Sequence, residues 1–176
     1  MAATYHYDRF MAGTQRPKVV KLRPTASSIQ PLHYNWGGLD DVYLVSGFER
    51  IPTDEGDDII IQDMDGLHRA IAEHLVLTKK SLSGKEVRFL RGQMDLSQRD
   101  LGALMRTTDQ SVARWEKEDV RIPGPAQMFL RVLYLASVSG KIDVRELAET
   151  LTDADEVATE RQVFAESGGK WRAVAA

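Results

Sequence analysis

The segment SQRDLGALMRTTDQSVARWE, from Ser97 to Glu116, decides the fold of the chain. It holds two short stretches with helical spacing of apolar residues, and a hydroxyl residue stands where each helix would begin. Leu101 and Met105 of the first helix would meet Val112 and Trp115 of the second beneath their crossing. Helices that cross steeply need a small residue at the closest approach, and a glycine directly follows Leu101. The spacing therefore predicts a helix-turn-helix.

The outer face of the second helix is polar and carries side chains that can bind DNA. A short helix held at both ends fits a major groove about 12 Å wide. Gln110 and Arg114 lie four residues apart on one stripe, and these residue types pair with adenine and guanine respectively. Gln98, at the start of the first helix, can bind a phosphate beside free backbone N–H groups. The predicted DNA-contacting residues are Gln98, Thr108, Asp109, Gln110, Ser111, Arg114 and Lys117.

Helical spacing continues on both sides of this segment. Ser83-Gly84-Lys85-Glu86 matches a capping box, and Pro123-Gly124-Pro125 is typical of a helix start. Residues 83–151 are therefore expected to form a five-helix DNA-binding domain. The expected helices lie at about 83–94, 97–105, 108–117, 123–136 and 144–151.

Residues 31–82 predict a smaller unit that mixes strand and helix. The runs Val42–Val45 and Ile59–Ile61 are β-branched or aromatic, and we expect them to pair antiparallel across an acidic turn at 54–57. Such a pair is barely stable alone, so the apolar face of a helix at 64–77 should cover it. The predicted fold class is α+β, a small β-hairpin and helix unit followed by the five-helix domain.

Charge is unevenly distributed along the chain, although the net charge is only −3. Residues 1–30 carry +4 and are interrupted by prolines, which predicts a flexible basic arm. The unit at 31–82 carries −6, which suits dimerisation or binding of a protein partner. Residues 83–142 carry +3, which suits an anionic partner. Residues 152–176 are polar or small and predict a fraying tail.

The composition excludes several classes of protein. The chain has no cysteine, which rules out disulfide scaffolds, thiol catalysis and cysteine-ligated metals. Its four histidines lack metal-ligand spacing, and no catalytic triad or glycine-rich phosphate loop stands out. We therefore expect no metal, no cofactor and no enzymatic activity. There is no apolar run of about 18 residues and no signal-peptide core, so we expect a cytoplasmic protein without membrane partners.

The segment LSQRDLGALMRTTDQSVARWEK, followed by IPGP and an apolar helix, resembles the Xre/Cro-like DNA-binding domain. It is most similar to the version found in MqsA-type antitoxins and their stand-alone relatives, over residues 82–151. The resemblance implies base contacts by Gln110 and Arg114 and a contact by Gln98 at the start of the first helix. It implies a fold and a function that agree with those expected from the spacing.

Two features depart from that family. Arg106 stands at the turn position that the family usually fills with glycine, where a left-handed conformation costs another residue about 1 kcal/mol. MqsA-type antitoxins hold their toxin with a zinc domain built on CxxC pairs, which a chain without cysteine cannot form.

The function that we expect is that of a bacterial sequence-specific transcriptional regulator. It would act as a repressor, bind a palindromic operator in double-stranded DNA as a homodimer, and so be associated with the nucleoid. The alternative is an antitoxin-like or adaptor module whose acidic unit at 31–82 binds a protein partner, either a toxin or another regulator.

Overall fold

Short strands and five helices make up the described chain, and the architecture of this computed structural model is α+β. The structure describes residues 3–4, 20–21, 30–54, 56–139 and 161–174. The strands are β1 (Ala3–Thr4), β2 (Val20–Lys21), β3 (Leu32–His33), β4 (Val42–Leu44), β5 (Phe48–Thr53), β6 (Gly56–Ile61), β7 (Gln162–Ser167) and β8 (Lys170–Val174). The helices are α1 (Met64–Thr78), α2 (Gly84–Gln93), α3 (Gln98–Leu104), α4 (Asp109–Glu116) and α5 (Gly124–Ser139).

The chain divides into two units, which we name the sheet unit and the helical unit. The sheet unit comprises Met1–Trp36, Asp40–Ile71 and Thr159–Ala176. The helical unit comprises Gly37–Leu39 and Ala72–Ala158. The boundary falls within α1, so the helical unit includes the last turns of this helix. The sequence predicts the whole of this helix as part of the unit at 31–82.

A six-stranded sheet in the order β2-β1-β8-β7-β4-β3 builds the sheet unit. It includes the parallel pair β4 and β7, in which Val42 lies opposite Gln162 and Leu44 lies opposite Phe164. Val42, Leu44 and Phe164 have no exposed surface. Burial of these apolar side chains supplies much of the energy that holds the sheet together.

The predicted pairing of Val42–Val45 with Ile59–Ile61 is wrong. Ile59–Ile61 belongs to β6, which pairs with β5 in a separate two-stranded hairpin. The strand β5 has the sequence FERIPT. Its charged residues and proline are not typical of a strand, so the sequence does not predict one there. Because β5 adjoins β6 across a tight turn, this local pairing forms in place of the one with β4. The acidic turn expected at 54–57 falls at the loop end of this hairpin, where the described residues Asp54, Gly56 and Asp57 are exposed.

Residues 162–174 form a hairpin, so the fraying tail predicted for 152–176 is wrong over this stretch. The strands β7 and β8 pair antiparallel around a Gly-Gly turn whose φ angles are 62° and 75°. Such angles favour glycine and suit a two-residue hairpin turn. Trp171 is buried and donates its indole N–H to the Gln62 carbonyl at 2.8 Å. The buried apolar side chains on both sides of the Gly-Gly turn, and not the polarity of the stretch as a whole, therefore decide the structure here.

The helices predicted from apolar spacing between residues 64 and 136 are confirmed, with ends that shift by a few residues. Both capping boxes are present, since Ser83 and Ser97 each exchange hydrogen bonds with the acidic residue three positions on. The fifth helix predicted for the DNA-binding domain, 144–151, lies outside the described residues. The arm predicted at 1–30 is described only at β1, β2 and its last residue.

Arg131 of α5 is almost completely buried in the helical unit and binds the end of α1. Its Nη1 donates to the carbonyls of Leu75 and Val76, and its Nη2 donates to the Lys79 carbonyl at 2.6 Å. The last carbonyls of a helix have no partner within the helix, so Arg131 satisfies them. Burial lowers the pKa of Arg131 to about 10, and the nearby Glu86 acts against this shift. The guanidinium therefore stays protonated at neutral pH.

The environment of His74, also on α1, should make the free energy of unfolding depend on pH. Burial, together with the nearby Lys79 ammonium, lowers the pKa of His74 to about 4, and Glu86 acts in the opposite direction. An unfolded chain, with an ordinary histidine pKa of 6.5, binds a proton between these two values that the folded chain does not. We expect this group to leave stability constant above pH 7 and to reduce it by about 2–3 kcal/mol as the pH falls to 4.

Urea unfolding of the wild type and of His74→Gln at several pH values isolates this effect. The other titrating groups act alike in both proteins, so the difference between them reports His74. The wild type should lose stability relative to the variant as the pH falls from 7 to 4. A difference that does not change with pH would contradict the lowered pKa.

Candidate nucleic-acid interface

A tight turn joins α3 to α4, and two residues determine its geometry. A β-carbon on Gly102 would lie 3.1 Å from the Asp109 amide nitrogen and 3.2 Å from the Thr107 carbonyl oxygen. The close approach expected at this glycine is therefore present. Arg106 has a φ of 55°, the left-handed conformation expected at this turn position. Backbone packing thus holds α4 directly against α3.

The helix α4 buries one side and exposes the other. Val112 has no exposed surface and Trp115 is 9% exposed. Gln110, Arg114 and Lys117 are exposed, and the four-residue spacing of the first two puts them on one stripe of the helix. The helix phase predicted from the sequence is the phase that the structure has. We name Gln110 and Arg114 the α4 stripe.

The first turn of α4 is held by side-chain hydrogen bonds of Thr108, Asp109 and Ser111. The Thr108 hydroxyl accepts the Ser111 N–H at 3.0 Å, and the two hydroxyl oxygens lie 2.9 Å apart. The Asp109 carboxylate accepts the N–H of Gln110 at 2.8 Å. These bonds satisfy N–H groups that a helix start leaves free. The three residues therefore position the α4 stripe by fixing the end of the helix that carries it.

The side chain of Gln98 is held within the protein. Its Nε2 donates to Glu116 Oε2 at 2.8 Å. The buried Glu116 carboxylate also pairs with Arg91, with 2.6 Å between Nε and Oε1 and 3.0 Å between Nη2 and Oε2. Arg91 further donates to the Leu96 carbonyl at 2.7 Å. This network joins α2, α3 and α4, and it leaves Gln98 a second amide hydrogen that could bind a phosphate.

The ion pair of Arg91 and Glu116 is not among the features predicted from the sequence, although the sequence contains a signal for it. Arg91 lies four residues after Val87 and therefore on the inward face of α2. A buried base needs an acid partner, and Glu116 directly follows the buried Trp115 on α4. The pair is predictable only when the inward faces of α2 and α4 are compared with each other, because neither helix alone indicates it.

The start of α3 carries a carboxylate of its own. Asp100 Oδ2 accepts the backbone N–H of Ser97 at 3.1 Å and its hydroxyl at 2.5 Å. These hydrogen bonds from Ser97 lower the pKa of Asp100, so the carboxylate is ionised at neutral pH. A negative charge at this helix start weakens the attraction of a phosphate for it. The start of α3 is consequently a weaker candidate for a phosphate contact than its sequence indicated.

Comparison with known proteins finds no matching family model, no matching curated protein and no matching solved structure. The described residues contain no group of three or more side chains that could hold a metal ion. Within the same described ranges, every helix is too short or too polar to cross a membrane.

Proposed function

We propose that the chain is a sequence-specific DNA-binding transcriptional regulator in which α4 enters the major groove. The observation that carries the proposal is the exposed α4 stripe on a helix whose other side is anchored by Val112 and Trp115. Glutamine and arginine are the side chains suited to adenine and guanine. Lys117, exposed just beyond the end of α4, adds a positive charge for a phosphate.

In this proposal α3 and the turn bind the DNA backbone. The second amide hydrogen of Gln98 donates to a phosphate while Glu116 holds the side chain in place. Arg99 and Arg106 are exposed on α3 and the turn and contribute positive charge. Phosphate contacts of this kind release counterions, so affinity should fall steeply with salt.

The regulator is further proposed to bind a palindromic operator as a homodimer. One helix of this length contacts few base pairs, and two copies about one helical turn apart double the number that are recognised. Occupancy of such a site in a promoter represses transcription, which places the protein in the cytoplasm at the nucleoid.

Replacing Arg114 with alanine should weaken binding at the preferred site by about 1–3 kcal/mol, because a bidentate contact to one base is lost. The preferred site is first selected from random duplex DNA with the purified whole chain, and both proteins are then titrated at one salt concentration. Arg88→Ala is the matched control, since it removes the same charge from an exposed position on α2. The control should keep the preference, whereas Arg114→Ala should lose it at one base pair per half-site.

Two results would count against the proposal. One is that selection enriches no sequence, and the other is that Arg114→Ala keeps the parent's ratio of affinities for selected and scrambled DNA. In either case the α4 stripe does not contact bases specifically. The antitoxin-like or adaptor module that binds a protein through its acidic unit would then be the better interpretation.

A further inference from the structure

One face of the β5–β6 hairpin combines exposed isoleucines with exposed carboxylates. Glu49 lies opposite Ile60 and Ile51 lies opposite Asp58. Residues opposite each other share a face of a strand pair, as do alternate residues along a strand, so all four side chains lie on one face. Ile51 is 43% exposed and Ile60 is 49% exposed, although the solvated face of a sheet is normally polar. We name these four residues the hairpin face.

The opposite side of the hairpin carries its basic residue. Phe48, Ile59 and Ile61 are half-buried on that side, which is the apolar side of the strand pair. The Arg50 guanidinium lies 5.5 Å from the centre of the Phe48 ring, a cation–π contact on the same side. The hairpin face therefore has two negative charges next to its isoleucines, and none of its four residues is basic.

These charges decide what can cover the isoleucines. A second copy packed about a twofold axis would bring two pairs of carboxylates together and remove their water without a cation. The negative charges of Glu49 and Asp58 also repel the phosphates of DNA. A protein segment with cationic side chains beside aliphatic ones can bury Ile51 and Ile60 and pair with Glu49 and Asp58.

We propose that the hairpin face is a docking surface for a partner protein that presents lysine or arginine beside aliphatic side chains. Ile51 and Ile60 are diagonal neighbours and would form the apolar centre of the contact. Glu49 and Asp58, each opposite one isoleucine, would fix the register of the partner by ion pairs. A lone two-stranded hairpin is only marginally stable, so the partner also stabilises β5 and β6. This interaction is independent of DNA binding by α4.

Binding of two labelled short peptides to the whole chain tests the proposal. One peptide alternates lysine with isoleucine and the other alternates lysine with serine, so that their charges are equal. We expect the lysine–isoleucine peptide to bind about tenfold more tightly in fluorescence anisotropy at physiological salt. The double variant Ile51→Ser/Ile60→Ser should abolish this difference, and Glu49→Gln/Asp58→Asn should weaken both peptides. Val120→Ser, at an exposed valine of the helical unit, is the control and should change neither affinity.

Equal affinity for the two peptides, or an unchanged difference in the isoleucine variant, would overturn the proposal. Sedimentation of the same proteins tests the other occupant. A wild-type dimer that Ile51→Ser/Ile60→Ser converts to monomer would show that a second copy covers the face, which also overturns it. Because the carboxylate variant changes no apolar surface, it provides a second test that does not depend on removing the isoleucines.

Discussion

Replacement of Arg131 by methionine is expected to lower the free energy of unfolding of the helical unit by about 4 kcal/mol. Methionine is apolar and cannot donate a hydrogen bond. The carbonyls of Leu75, Val76 and Lys79 would therefore lose their charged donor in a buried setting. Each buried acceptor left without a partner costs about 1–3 kcal/mol, which makes this one of the largest effects of a single substitution in the chain.

Urea unfolding followed by helical circular dichroism measures this loss. Arg88→Met, at an exposed arginine on α2, is the control and should change stability by about 0.5 kcal/mol or less. Arg131→Lys keeps the positive charge but loses the planar guanidinium, so its loss of stability should lie between those of Arg131→Met and Arg88→Met. A loss below about 1 kcal/mol for Arg131→Met would mean that water replaces the guanidinium at the end of α1.

Replacement of Trp115 by alanine is expected to destabilise the helical unit by about 3–5 kcal/mol. The side chain is 9% exposed and leaves a large cavity when it is truncated. The loss is a large part of the total stability of an ordinary domain, so the melting temperature should fall sharply and the proposed DNA binding should be lost with the fold. Leu104→Ala is the control, because Leu104 is an apolar residue of α3 that is 48% exposed. An unchanged melting temperature for Trp115→Ala would show that the indole contributes little to the packing.

The helical unit could be predicted well because its rules act over short stretches of sequence. The capping boxes at Ser83 and Ser97 mark helix starts within four residues, and apolar spacing then fixes the buried side of each helix. The same spacing correctly placed Gln110 and Arg114 on the exposed side of α4. The position of the candidate interface was therefore predictable, whereas its recognition of DNA stays a prediction.

The sheet unit could not be predicted in the same way, because its pairings join distant segments. No local pattern indicates that β4 pairs with β7. The Gly-Gly pair between the apolar residues of β7 and β8 indicated a turn, but the polar and small residues before it led to the prediction of a tail over this stretch. The ion pair of Arg91 and Glu116 was missed for a related reason, since each side chain is explained only by a partner on another helix.

The parallel pairing of β4 with β7 makes the order of synthesis important for folding. The Ser46 hydroxyl, just after β4, donates to the Glu166 carbonyl in β7 at 2.7 Å, and the two residues are 120 positions apart. On the ribosome β4 emerges long before its partner is made, while α2, α3 and α4 meet one another within a short stretch of nascent chain. The helical unit can therefore fold during translation, and the sheet closes only after β7 has left the exit tunnel. Until then β4 can pair with β3 on one side but lacks β7 on the other, so a ribosome stalled before residue 162 would hold a chain prone to aggregation and to capture by chaperones.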